Sequence, residues 1–192
     1  MVKKLLLAVA VLIAAVLAFA ATRPDSFRIE RSLLVQAPPQ AIYTQIADFR
    51  RWQAWSPYEN LDPAMRRSYE GAERGPGAVY AWDGDKSGAG RMEIVEATEP
   101  SLVRIRLDFL RPFKVRNTAE FVLTEEGGGT RVSWAMYGAD PYIGKLMGLF
   151  FDRDAMIGKD FEKGLASLRS LAETAPQTPA ATPVMPADQP GA

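Results

Sequence analysis

The sequence predicts an α+β domain: one curved antiparallel sheet closed by a long C-terminal helix. Three observations predict it. Six strand-like stretches between Arg66 and Tyr137 follow one another with short links, and short links force antiparallel pairing, because a parallel pair needs a crossover of a dozen or more residues. The stretches alternate, so each carries one apolar face. A long amphipathic helical pattern comes last, and its apolar stripe must cover that face.

The elements follow in order. Lys3 and Lys4 precede Leu5 to Ala21, an uncharged apolar run of 17 residues. As a helix it reaches roughly 25 Å, the short end of a membrane crossing. The lysines favour a cytoplasmic N-terminus and a domain on the other side. Ala18-Phe19-Ala20 also reads as a signal-peptide cleavage site. The expectation for residues 1–22 is a transmembrane anchor, with cleavage near Ala20 as the alternative. The domain is then 23–173.

Phe27 to Gln36 reads as a strand. Pro39 opens a helix with Ile42, Ile46 and Phe49 on one face. Asp48 caps a short turn carrying Trp52, and Pro57 stops it. The strands are 66–71, 78–83, 90–97, 102–110, 114–124 and 130–137. Val103, Ile105, Leu107 and Phe109 lie on one face of their strand; Asn117, Ala119, Phe121 and Leu123, then Val132, Trp134 and Met136, do so on theirs. After Asp140-Pro141, residues 142–173 read as helical, with Ile157, Phe161, Gly164, Leu165 and Leu168 forming the stripe. From Thr174 the chain repeats Pro and Ala, a composition that cannot bury enough surface to order, so 174–192 is expected to be a disordered tail.

Composition narrows the chemistry. Lys+Arg and Asp+Glu both number 23, so no basic footprint for nucleic acid exists. The chain has no cysteine and no histidine. That excludes Ser-His-Asp and Cys-His triads and His- or Cys-ligated zinc. No cofactor or metal is expected. Gly84 to Gly90 lacks the glycine before Lys86 that a phosphate loop needs, and Asp152, Asp154 and Asp160 lack calcium-loop spacing.

DFRRWQAWSPYENLDPAM, EEGGGTRVSWAM and MGLFFDRDAMIGKDFEKGLASL resemble the polyketide cyclase/dehydrase and lipid-transport branch of the START-like (SRPBCC) superfamily. They are most similar to bacterial membrane-anchored members, which follow an apolar segment with an Arg-Pro-Asp start, here Arg23-Pro24-Asp25. The resemblance spans residues 23 to 172 and implies a helix-grip fold with a deep apolar cavity between sheet and helix. It implies a bacterial inner-membrane protein with its domain outside the cytoplasm. It does not imply one reaction.

Within that fold the inner face is expected to carry Tyr80, Trp82, Met92, Ile94, Phe109, Asn117, Phe121, Trp134 and Met136 around a ligand. Asn117 is a lone amide among apolar neighbours, and an unpaired buried amide costs roughly 1–3 kcal/mol. Trp55 is expected at the cavity mouth with Trp52 beneath it. A lid from Pro141 to Phe151, with Met147 and Phe150 on the entrance and Gly144 and Gly148 as hinges, is its counterpart. The strand phases put no carboxylate inside; Glu93, Glu96 and Glu120 fall on the solvated face. The reading is a carrier or sensor that binds an apolar or amphipathic, lipid-like molecule. Two alternatives remain: a cyclase- or hydratase-type enzyme using a cavity carboxylate or Tyr80, and a protein-interaction module of the envelope with a filled core. Oligomeric state is left open.

Overall fold

The computed structural model describes residues 1–174. An apolar helix α1 (Val2–Ala21) leads into β1 (Ser26–Val35), α2 (Pro39–Ile46) and two 3₁₀ helices (Phe49–Ala54 and Pro57–Asn60). Six strands follow: β2 (Arg66–Gly71), β3 (Ala78–Gly84), β4 (Gly88–Thr98), β5 (Leu102–Arg111), β6 (Val115–Glu126) and β7 (Gly129–Ala139). α3 (Tyr142–Met147) and α4 (Arg153–Thr174) close the chain. One antiparallel seven-stranded sheet has the order β1-β7-β6-β5-β4-β3-β2. This is the predicted α+β helix-grip arrangement.

Register decides where the inner face can be hollow. Phe27, Gly138, Asn117, Leu107, Met92, Tyr80 and Tyr69 form one row across all seven strands. Ile29, Met136, Ala119, Ile105 and Ile94 form the row on one side of it. Phe109, Gly90, Trp82 and Arg67 form the row on the other. The outer face is a ladder of ion pairs. Glu120 meets Arg104 at 2.9 Å, Glu93 meets Arg106 at 2.5 Å, and Glu96 also meets Arg104.

α4 lies across the inner face. Phe161, Leu165, Leu168 and Ala172 are buried along its stripe. A Cβ on Gly164 would come within 2.7 Å of the Trp134 ring, so a glycine there lets the helix sit close on the sheet. At its far end the Gln36 amide donates to Glu173 at 2.8 Å.

The structure corrects several boundaries. Pro57 ends the first 3₁₀ turn, as expected, but opens a second, Pro57–Asn60. The helix expected from 142 onward breaks into α3 and α4, with no helix between Gly148 and Asp152. Thr174 is still helical; the tail expected beyond it lies outside the described residues. α1 is long and apolar enough to cross a membrane and is almost entirely uncovered, properties it shares with a signal sequence.

Candidate ligand-binding cavity

The two tryptophans of the first 3₁₀ helix show how the site is built. Asp48 caps that helix by accepting from the Arg50 amide at 2.9 Å. The Trp52 indole then donates to the Ile46 carbonyl at 2.9 Å, and the Trp55 indole to Gln45 at 3.2 Å. These carbonyls belong to the last turn of α2, where no helical partner exists. The pair thus stitches α2 to the 3₁₀ helix and fixes both rings. The result reverses the expected roles: Trp52 lines the cavity, while Trp55 is buried away from it against Phe121 and Trp134.

The cavity has a volume of about 220 Å³. Its sheet wall is Tyr80, Trp82, Met92, Leu107, Phe109, Ala119, Trp134 and Met136; Ile157 and Phe161 close it from α4, and Leu61, Met65 and Ser87 from loops. Apart from Trp134, which stands mid-sheet opposite Phe121, the strand residues come from the half of the sheet nearest the exit of α1, where β1 starts and β7 ends. Small residues make the space. Ala119 stands in the middle of the wall, and a Cβ on Gly90 would strike the Trp82 ring at 2.3 Å.

Glu59 is the residue that strand periodicity missed. It comes from the second 3₁₀ helix, is only 6% exposed, and stands on the cavity wall. The Tyr80 hydroxyl donates to its Oε1 at 2.7 Å, and Arg67 Nε pairs with its Oε2 at 2.7 Å. Arg67 also donates to the Glu59 carbonyl at 2.9 Å. Burial, then the bond to Glu59, pushes the Tyr80 phenol well above its ordinary pKa. Tyr58, also on the wall, is raised by burial. Both carboxylate oxygens of Glu59 are engaged, so the group is a fixed acceptor.

The other polar groups divide. The Trp82 indole donates to the Ser87 carbonyl at 3.3 Å. The Trp134 indole is stacked on Phe161 at 4.1 Å and on Phe121 at 5.0 Å, and its buried N–H has no partner. Asn117 is buried behind the wall, its amide 4.0 Å from the Met136 sulfur and its Oδ1 without a partner. Asp62 accepts from the Lys86 amide at 3.0 Å and from Ala64 at 3.3 Å, which ties the 61–65 loop to the β3–β4 turn. A carboxylate on that amide is the opposite of a phosphate cradle. The hydrogen bond from the Lys86 amide holds Asp62 below the usual carboxylate range.

Of the residues expected around a ligand, Tyr80, Trp82, Met92, Phe109, Trp134 and Met136 stand on the wall. Trp55, Asn117 and Phe121 are buried off it. Met147 and Phe150 are exposed elsewhere. The 141–151 segment is not a lid on this cavity: Tyr142 donates to the Leu17 carbonyl of α1 at 2.9 Å, and Phe150 borders a separate, polar groove with Arg23, Arg28 and Arg153.

Residues 26–173 match the polyketide cyclase/dehydrase and lipid transport family, and the chain belongs to it. No curated protein matches the chain by sequence. Solved structures share the fold at low identity. CV1439 from Chromobacterium violaceum has a TM-score of 0.56 at 18% identity, over 79% of this chain and 99% of that one. The di-domain aromatase/cyclase StfQ from the steffimycin biosynthetic pathway reaches 0.60 at 15% identity, over 77% of this chain and 51% of its own. DynU16, a putative protein of the dynemicin biosynthetic locus, reaches 0.55 at 16%, over 79% and 48%. This chain spans about half the length of the latter two.

Proposed function

We propose that the domain binds a small amphipathic molecule, non-covalently, with its apolar body between sheet and α4. The observation that carries the reading is an apolar cavity with one polar wall group fixed in advance, the Glu59–Tyr80 pair, as acceptor. Volume limits the guest. A cavity of about 150 Å³ holds benzene, so about 220 Å³ holds roughly nine non-hydrogen atoms on that scale. This is below the usual 300–1,000 Å³ of ligand pockets. A one- or two-ring molecule, or part of a short chain, fits; a whole diacyl lipid does not without opening. The lysines before α1 favour a domain outside the cytoplasm.

The test is tryptophan fluorescence of the full chain titrated with 2-naphthol, 1-indanone and naphthalene. Saturable quenching by 2-naphthol and 1-indanone is expected. Glu59→Gln should weaken 2-naphthol, and Ala119→Leu should abolish both. No saturable binding by any of the three sinks the reading.

A second reading is favoured by Glu59: proton transfer of cyclase or hydratase type at the Glu59–Tyr80 pair. It predicts that Glu59→Gln abolishes turnover of a substrate while retaining its binding. The envelope interaction module expected a filled core with an exposed apolar patch; the chain has a patch at α3 and a hollow core.

A further inference from the structure

We propose that α3 and the turn after it rest on the bilayer surface and supply the apolar depth that α1 lacks as a span. The proposal rests on α1 being retained in the membrane. The uncharged run of α1 is 17 residues, Leu5 to Ala21, which as helix is roughly 25 Å against a hydrocarbon core of about 30 Å. A short span is accommodated by thinning the bilayer or by snorkelling of flanking residues, which brings apolar surface held beside its end toward the interface.

That surface is present and it is fixed in place. Tyr142 opens α3 and donates to Leu17, one turn before the end of α1. The Asp140 amide donates to the Asp25 carbonyl at 2.7 Å, and Lys145 pairs with the Asp25 carboxylate. Arg153 clamps Asp140 at 2.6 Å. α3 therefore cannot swing away from the exit of α1 without breaking these bonds. Lys145 is the one charged residue of α3; its side chain is only 8% exposed, and its ammonium is paired with the exposed Asp25 carboxylate. Ile143, Met147, Phe150 and Phe151 face outward, exposed by 63%, 51%, 69% and 56%.

Four large apolar side chains within nine residues mark a surface that something covers. Lipid is the occupant that the geometry favours. The patch is continuous with the uncovered surface of α1, so the medium that covers one reaches the other. Tyr142 sits beside the last turn of the span, where interfacial tyrosines gather. Phe113 adds to it: the most exposed phenylalanine of the described chain stands in the β5–β6 turn beside Lys114, at the end of the sheet where β1 begins.

The absence of cysteine makes the test clean. The full chain, carrying a single Leu12→Cys, Met147→Cys, Phe150→Cys or Glu125→Cys with an environment-sensitive fluorophore, is reconstituted in phosphatidylcholine–phosphatidylglycerol vesicles containing spin-labelled lipid. Leu12 reports the span, and Glu125 the far end of the sheet. Quenching at 147 and 150 should be at least about threefold that at 125, as for side chains seated in the headgroup region. With Phe150→Asp and Phe151→Asp together, quenching at 147 should fall to the level at 125, with 2-naphthol binding unchanged, since neither phenylalanine lines the cavity. Quenching at 12 with none at 147 and 150 overturns the docking and leaves the anchor standing. No quenching at 12 removes the anchor and the docking together. Shielding at 147 and 150 that grows with protein density and ignores the spin-labelled lipid assigns the patch to a second copy and overturns the proposal.

Discussion

At the end of the sheet farthest from α1, Val35, Ile42, Ile46, Val132, Leu165 and Leu168 are each buried to 1% exposure or less. At the near end, the same sheet and the same helix leave about 220 Å³ between Tyr80, Met92, Phe109, Ala119, Met136 and Phe161. The far end is mostly branched aliphatics that interdigitate across the gap. The near end sets flat rings and flexible methionines around alanine and glycine, so its rings line a space they do not fill. Polar groups follow the same division. At the far end Thr130 donates to the Ala37 carbonyl at 2.7 Å and is satisfied, whereas the near end holds the Glu59–Tyr80–Arg67 cluster. One fold thus separates a half that holds the domain together from a half free to take a guest.

The largest effect should come from comparing matched truncations. Phe121→Ala removes a ring in full contact and should cost about 3–5 kcal/mol. Phe109→Ala removes one that already faces empty space and has fewer contacts to lose, so roughly 1–2 kcal/mol is expected. Urea midpoints read by tryptophan fluorescence measure both. Equal losses would mean that the cavity wall is packed as well as the core behind it.

Next is Glu59→Gln, expected to cost roughly 1–3 kcal/mol because it leaves Arg67 short of its charge partner and Tyr80 with a weaker acceptor. Glu59→Gln with Arg67→Met should recover part of that loss. If the single variant is neutral in urea melts, the cluster is no structural anchor of the near end.

These residues also show what the sequence made legible. Alternation gave the sheet, and with it Tyr80, Trp82, Met92, Trp134 and Met136 on the inner face. It did not tell which rows would be hollow. Phe121 and Trp134 are direct partners across β6 and β7, yet Trp134 is on the wall and Phe121 is not. That division depends on where α4 touches down, which is set by contacts distant in sequence. Glu59 was invisible for another reason: a four-residue 3₁₀ helix carries no periodicity from which to assign a face. The exchange of roles between Trp52 and Trp55 has the same origin, since the carbonyls of Gln45 and Ile46 orient both rings. The 141–151 segment was read as a lid because its apolar residues needed a partner; α1, not the cavity, provides the neighbouring surface.

A smaller effect isolates the unpaired donor. Trp134→Phe keeps most of the stacked ring and removes an N–H that has no partner, so stability should change by less than about 1 kcal/mol and can rise. Trp52→Phe removes an N–H that bonds the Ile46 carbonyl and should cost about 1 kcal/mol more. The two melts, side by side, say whether the Trp134 donor is vacant in the unliganded protein.

The smallest effect expected is none at all, across the middle of the pH range. With no histidine, no side chain of ordinary pKa titrates there. Bonds from Arg31 hold Asp154 below its usual range, and bonds from Arg131 do so for Glu126. Depressed carboxylates contribute fully above their unfolded pKa, about 4, and the contribution fades as pH falls through the lower folded value. Tyr80 is raised, so its contribution is full below the unfolded pKa of about 10 and fades as pH climbs beyond that. Stability and 1-indanone affinity should therefore be flat from about pH 5 to 9. On the alkaline side the near end should fail first, because Tyr80 and Tyr58 both stand there. Tyrosinate absorbance followed beside the urea midpoint tests the sign: Tyr80 should stay silent until the domain unfolds. An affinity that falls between pH 6 and 8 would mean that the Glu59–Tyr80 pair carries a mobile proton, and would turn the near end from a fixed binding wall into a site of proton transfer.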